Sequence, residues 1–230
     1  ATRDPAEVAA KARTGVSTTF FTWHWCMVPV IAILRGLDGG TTVRRAAECW
    51  DAGITLVEVP EQDANGLRAL EAAAVRARDT GNLIGAGTIY SVSDASRAAD
   101  AGANFLVAPG INADTVQYAA GRDIPYRPGV MTPSEVQVAA ALGFQVAKLF
   151  PAGLLGLDCL TAPHSPFTDI NFVAVRGSSP SHATAYLADV ALGSVADRAR
   201  CVPGSVHALA TAGDHTRTEP HRDFATQHHP

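Results

Sequence analysis

The chain has 230 residues, a formal net charge of −4, a hydrophobic share of 47% and a charged share of 17%. That length makes one ordinary domain or at most two small ones, and the apolar share excludes global disorder. A pI of about 6.0 offers no general attraction to nucleic acid or to anionic lipid, so neither is expected as a partner.

Ahead of the first strand, a charged segment (Arg3, Asp4, Glu7, Lys11, Arg13) leads into the aromatic cluster Phe20-Phe21-Thr22-Trp23-His24-Trp25. This cluster is expected to pack an extra N-terminal helix against the main domain or a neighbouring subunit. Short apolar runs of β type then alternate with Ala-rich segments of helical period. The runs are Val28–Leu34, Leu56–Pro60, Leu83–Gly87, Phe105–Pro109, Tyr126–Val130, Val146–Phe150 and Phe172–Val175, with a weaker eighth at Val190–Gly193. The helical segments are Thr41–Ala52, Asn65–Asp79, Ser91–Ala101, Ala113–Ala120, Pro133–Ala141, a short one near Leu155–Thr161, and Pro180–Leu187. Thr132-Pro133-Ser134-Glu135 and Ser179-Pro180 place a cap before proline at a helix start. Glycines at 53, 102 and 143 close helices.

Strands that are apolar throughout are buried on both faces, as in a parallel sheet. Strict β-then-α repetition over roughly 170 residues predicts a (β/α)8 TIM barrel near its lower size limit. The rival is a doubly wound open sheet, which the missing G-x-G-x-x-G after the first strand disfavours in its dinucleotide-binding form. Residues 1–200 are read as a single barrel domain with its extra N-terminal helix, and residues 201–230 as a polar tail. Five of the eight histidines fall in that tail; a solvated terminus is the expectation, with a metal-binding tail as the alternative.

The four cysteines (Cys26, Cys49, Cys159, Cys201) are scattered without C-x-x-C or His/Cys ligand spacing, which fits a reducing compartment and argues against structural zinc. The longest apolar stretch, Thr19 to Leu34, is broken by His24 and Pro29 and is too short to span a bilayer. What precedes it is not a signal-peptide pattern, so the expected location is the cytoplasm.

Reactive groups of such a barrel stand at the C-terminal ends of its strands and in the loops that follow. Of 18 basic residues only Lys11 and Lys148 are lysine. Lys148 lies mid-strand, on one face with Val146 and Phe150, where burial disfavours the ammonium form and frees an amine for Schiff-base chemistry. A structural ion pair at the barrel mouth is the alternative. Glu58 is the matching lone charge of Leu56-Val57-Glu58-Val59-Pro60, suited to neutralising Lys148 or to moving protons. In Gly85-Ala86-Gly87-Thr88, small residues including Gly87 leave space at the mouth, and the Thr88 hydroxyl can hydrogen-bond a substrate oxygen. Arg35 ends the first strand and can clamp a carboxylate or phosphate. For a phosphate, the loops after strands seven and eight offer Arg176-Gly177-Ser178 and Gly193-Ser194.

Taken together these segments resemble the family of 2-keto-3-deoxy-6-phosphogluconate and 2-keto-3-deoxy-6-phosphogalactonate aldolases, which includes 4-hydroxy-2-oxoglutarate aldolases. The resemblance runs from about residue 28 to 195 through Val28-Pro29-Val30-Ile31, Ala32-Ile33-Leu34-Arg35-Gly36, Val57-Glu58-Val59-Pro60, Gly85-Ala86-Gly87-Thr88, Pro109-Gly110, Pro128-Gly129-Val130-Met131-Thr132-Pro133-Ser134-Glu135 and Lys148-Leu149-Phe150-Pro151-Ala152. It implies a class I aldolase without metal or cofactor, typically trimeric, that yields pyruvate and glyceraldehyde 3-phosphate. Lys148 would form the imine, Glu58 would move protons, and Thr88 would hold the pyruvate carboxylate region. Gly87, Pro109 and Phe150 would line the pocket. The chain departs from the pattern at Glu61-Gln62, where the gluconate type has Arg and the galactonate type Asn, and at Arg176, where the family has a glycine. The eighth strand reads as abbreviated. A 4-hydroxy-2-oxoglutarate aldolase and a non-catalytic anion-binding barrel are therefore the alternative functions.

Overall fold

The computed structural model describes residues 30–152, 167, 170–175 and 193–197. Along them run β1 (Val30–Ile33), α1 (Gly39–Asp51), β2 (Leu56–Pro60), α2 (Ala64–Thr80), β3 (Leu83–Gly87), α3 (Val92–Asp100), β4 (Phe105–Val107), α4 (Ala113–Gly121), β5 (Tyr126–Arg127), β6 (Gly129–Val130), α5 (Pro133–Ala141), β7 (Val146–Leu149), β8 (Asn171–Ala174) and β9 (Gly193–Asp197).

Every strand pair is parallel, and the sheet order is β5-β4-β3-β2-β1-β9-β8-β7-β6. The two ends of that order are neighbours in the chain, since only Pro128 separates β5 from β6. Proline has no N–H to give to a ladder, so it divides one strand into two halves. One half pairs with β4 and the other with β7, which closes the sheet. The carbonyl of Pro128 still accepts the Lys148 N–H at 2.9 Å.

The pairings can be followed round the sheet from Ser194 to Val30, Ile31 to Leu56, Leu56 to Leu83, Gly85 to Phe105, Leu106 to Tyr126, Gly129 to Lys148, Val146 to Asn171 and Val173 to Gly193. Carrying the offsets along each strand, one circuit returns to β9 eight residues from its start. Eight strands with that stagger make the (β/α)8 barrel expected from the alternation.

Alternate residues of each strand divide between two cores. Ile31, Ile33, Leu56, Phe105, Val107, Val146, Val173 and Val175 fill the barrel interior. Ala32, Val57, Val59, Ile84, Ala86 and Leu106 face outward onto the alanine-rich faces of α1, α2 and α3, and Ala147, Leu149, Phe172 and Ala174 do so against α5. Small helix side chains let helices lie close on the sheet, which is why these segments are rich in alanine. Each helix starts on a side-chain cap: Asp38, Asp63, Ser91, Asn112 and Thr132 accept N–H groups of the first turn. Gly53, Gly102 and Gly143 follow helix ends at φ of 84, 94 and 85°, a conformation in which a side chain is strained.

One strand lies elsewhere than expected. The eighth strand of the barrel is Gly193–Asp197, later than the Val190–Gly193 run. Val190-Ala191-Leu192 is the more apolar segment, but pairing with β1 and β8 selects the next one. The extra N-terminal helix, the Phe20–Trp25 cluster, the segments Leu155–Thr161 and Pro180–Leu187, and the tail 201–230 lie outside the described residues. Among the described residues no helix is long and apolar enough to cross a membrane.

Candidate active site

A stagger of one residue per strand sorts the interior positions into layers contributed by alternate strands. Leu56, Phe105 and Val146 belong to the lowest layer, with Ile31, Gly85, Arg127 and Val173 above it. Glu58, Val107 and Lys148 share the next, followed by Ile33, Gly87, Gly129 and Val175. Glu58 and Lys148 therefore stand at one height on opposite sides of the barrel. They are 2% and 4% exposed, in an interior filled mainly by apolar side chains, with Arg127 in the layer below.

Above that pair, two of the four positions are glycine, so neither adds a side chain to the interior toward the C-terminal mouth. A Cβ on Gly87 would fall on the Glu58 carboxylate, so the acid leans up into the space the glycine vacates. A Cβ on Gly129 would meet the backbone carbonyl of Pro109, so that glycine is needed for the close approach of two strand ends. The Lys148 side-chain nitrogen lies 4.9 Å from the centroid of the Phe150 ring, which places it toward the C-terminal mouth. Both buried side chains thus lie toward the C-terminal end of the barrel strands. Gly85, lower down, gives its side-chain space to the Phe105 ring.

At the rim, Thr88 follows β3, is buried, and has φ of 68°. A β-branched residue is strained there, and such outliers concentrate at functional sites. Thr88 also lines a cavity of about 570 Å³ with Glu61, Gln62, Asp63, Tyr90, Asp94 and Arg97. Arg97 donates to Glu61 at 2.8 Å and to Asp94 at 2.7 Å, tying the loop after β2 to α3. Burial pushes the Glu61 carboxyl above its usual range, and the Arg97 guanidinium offsets this only in part. Partial burial would also raise Asp94, but the Ser91 hydroxyl, the Tyr90 N–H and Arg97 outweigh it and hold that carboxyl low.

Arg35, Pro109 and Phe150 follow β1, β4 and β7 and are partly exposed at the mouth. The Phe150–Pro151 peptide is cis. Gly193 and Ser194 require a correction: they open β9, with Ser194 paired to Val30 and Ala174, and do not lie in a loop beyond the eighth strand. The reason is the later position of that strand. Arg176, Gly177 and Ser178 lie outside the described residues. Among the described residues no group of three or more His, Cys, Asp or Glu is placed to hold a metal ion. Sequence reading missed Arg127, which is 4% exposed inside the barrel. Its signal was the one that marked Glu58 and Lys148, a charge within an apolar strand.

Fold and site together define a (β/α)8 enzyme with a lysine and a glutamate buried at the catalytic end. The family model "Aldolase: KDPG and KHG aldolase" matches residues 24–207. A probable 2-dehydro-3-deoxy-6-phosphogalactonate aldolase of Rhizobium meliloti is 35% identical over 161 residues, 70% of this chain and 76% of its own. A 2-dehydro-3-deoxy-phosphogluconate aldolase of Treponema pallidum is 33% identical over 163 residues, 70% of this chain and 75% of its own. The crystal structure of the 2-keto-3-deoxy-6-phosphogluconate aldolase of Zymomonas mobilis ZM4 with 3-phosphoglycerate superposes with a TM-score of 0.75 at 26% identity, covering 85% of this chain and 95% of that one. The chain belongs to the KDPG and KHG aldolase family and is a lyase.

Proposed function

We propose that this chain cleaves a phosphorylated 2-keto-3-deoxy sugar acid to pyruvate and glyceraldehyde 3-phosphate through an imine on Lys148. The observation that carries the reading is the placement of Lys148 and Glu58 in one interior layer, with the Glu58 carboxylate in the space beside Gly87. The Lys148 amine adds to the C2 ketone and forms a carbinolamine. Glu58, as the acid, protonates its hydroxyl, which leaves as water and gives the iminium. Glu58, now the carboxylate, takes the proton of the C4 hydroxyl while the C3–C4 bond breaks. That bond's electrons flow into the iminium and leave an enamine, and the aldehyde departs. Glu58 returns the proton to C3, and water hydrolyses the resulting pyruvyl imine to pyruvate and free amine.

Thr88, with Gly87, is proposed to hold the pyruvate carboxylate region, and its strained backbone supports this. Arg35, Pro109 and Phe150 form the wall through which substrate enters. Arg176, Gly177 and Ser178, which follow β8, are the proposed phosphate segment. A homotrimer in the cytoplasm is the proposed working form, testable by light scattering and fractionation.

Borohydride reduction in the presence of pyruvate is expected to add a pyruvyl mass to Lys148. Lys148→Ala should lose both adduct and cleavage, whereas Glu58→Gln should slow cleavage by at least about a hundredfold. No adduct, or one on Lys11, would sink the scheme, and pyruvate binding without an adduct would favour a non-catalytic barrel. A second reading, 4-hydroxy-2-oxoglutarate cleaved to pyruvate and glyoxylate, draws support from the family model, which covers KDPG and KHG aldolases together. Turnover of substrates with and without phosphate decides between them.

A further inference from the structure

Thr88 keeps a left-handed backbone, with φ of 68°, that its own branched side chain disfavours, so its surroundings must hold it there. Both of its peptide groups are held. The carbonyl of Gly87, before it, accepts the Glu61 N–H at 2.9 Å, and the N–H of Ile89, after it, donates to the Val107 carbonyl at 3.2 Å. Further along the loop, the N–H groups of Tyr90 and Ser91 both donate to Asp94 Oδ2, at 3.1 and 2.9 Å. Glu61 therefore anchors the loop on the β2 side, and Asp94 anchors it on the α3 side.

One guanidinium joins the two anchors. Arg97 Nε donates to Glu61 Oε1 at 2.8 Å, Nη2 donates to Asp94 Oδ1 at 2.7 Å, and Nη1 donates to the Ser93 hydroxyl at 2.9 Å. A planar fork of N–H donors suits such a bridge, because it reaches separate partners in fixed directions. The two ends differ in exposure: the Glu61 side chain is 4% exposed and that of Arg97 48%. A buried carboxylate is left uncompensated when its cation is removed, whereas removing a half-exposed arginine opens no core. Arg97, Glu61 and Thr88 line one cavity, so the bridge and the Thr88 side chain border the same space.

We propose that Arg97 is a positioning residue for substrate binding: by bridging Glu61 to Asp94 it holds the loop after β3 in the backbone form from which Thr88 receives the pyruvate carboxylate. The proposal rests on the reading of Thr88 as part of the carboxylate site, and its failure can be told from the failure of that reading. The test is borohydride trapping of the pyruvate adduct in the full chain, with the rate followed against pyruvate concentration. Thr88→Ala should raise the half-saturating pyruvate concentration at least about tenfold. Arg97→Met should raise it at least about fivefold, while the rate at saturating pyruvate stays within about twofold of the parent. The double variant should need no more pyruvate than Thr88→Ala alone, because Arg97 acts through Thr88.

Half-saturation in Arg97→Met equal to the parent's, with Thr88→Ala weakened, would overturn the proposal alone. So would effects that multiply in the double variant, which would mark a general structural role. Unchanged half-saturation in Thr88→Ala overturns the carboxylate reading and the proposal with it, and a parent chain that forms no adduct overturns the imine reading. If Arg97→Met fails to fold, Glu61→Gln removes the charge that Arg97 pairs with and keeps the size of the side chain. It should raise the half-saturating concentration at least about threefold in the parent and leave it unchanged in the Thr88→Ala background. Equal increases in both backgrounds would refute the role assigned to the bridge.

Discussion

Three buried charged residues stand on barrel strands, Glu58, Arg127 and Lys148, and two of them were read from the sequence as lone charges inside apolar runs. Glu58 and Lys148 were legible because the rest of their runs is apolar. Arg127 carries that signal more weakly, since Pro128 and Gly129 follow it within the strand run Tyr126–Val130. The role of Gly87 was legible only as open space; the structure shows what occupies it. Gly87→Ala would set a methyl group on the Glu58 carboxylate. Displacing a catalytic group by about an ångström costs on the order of a hundredfold in rate, so, with Glu58 in its proposed proton-moving role, kcat for pyruvate release should fall by that factor. Gly121→Ala, at an open position on α4, should match the parent and serves as the control.

The helices were the most legible elements, because a cap and a helical period are local properties. Thr132-Pro133-Ser134-Glu135 predicted the start of α5, and the structure has Glu135 accepting from the Met131 N–H at 2.8 Å and the Thr132 N–H at 2.7 Å. Thr132 returns the bond by accepting from the Glu135 N–H at 3.4 Å. Thr132→Ala and Glu135→Ala should each cost about 1 kcal/mol. In a chain of this size that lowers the melting temperature by about 2–4 °C, measurable by calorimetry. Strands were less legible at their ends, where pairing overrides composition. Pro128 interrupts a run that reads as one strand, and β9 occupies the less apolar of two adjacent segments because β1 and β8 pair with it.

At the scale of the whole molecule, acid stability follows from the carboxylates at helix starts. Partial burial would raise Glu135, but the two backbone N–H groups and the Thr132 hydroxyl outweigh it and hold it below the usual range, as Asp94 is held. A carboxyl held low in the folded state adds stability that is present above its unfolded value and lost as pH falls through its folded one. Glu61, raised by burial, has the opposite sign: its contribution is present at low pH and lost as pH rises through its folded value. The melting temperature should therefore fall as pH drops from about 5 toward 3, and Asp94→Asn with Glu135→Gln should flatten that decline. An unchanged slope in the double variant would show that other carboxylates govern it.

What the sequence determined by itself was local or periodic: the helix caps, the strand–helix alternation that implies a parallel barrel, and the lone charges at 58 and 148. Each depends on residues within a few positions of one another. Tertiary structure decided what depends on partners far apart in the chain. Closure through Pro128, the stagger that sets Glu58 level with Lys148, the close approaches at Gly87 and Gly129, and the inward turn of Arg127 all follow from register between strands. Register is a property of pairs of segments, so a single run of residues does not contain it.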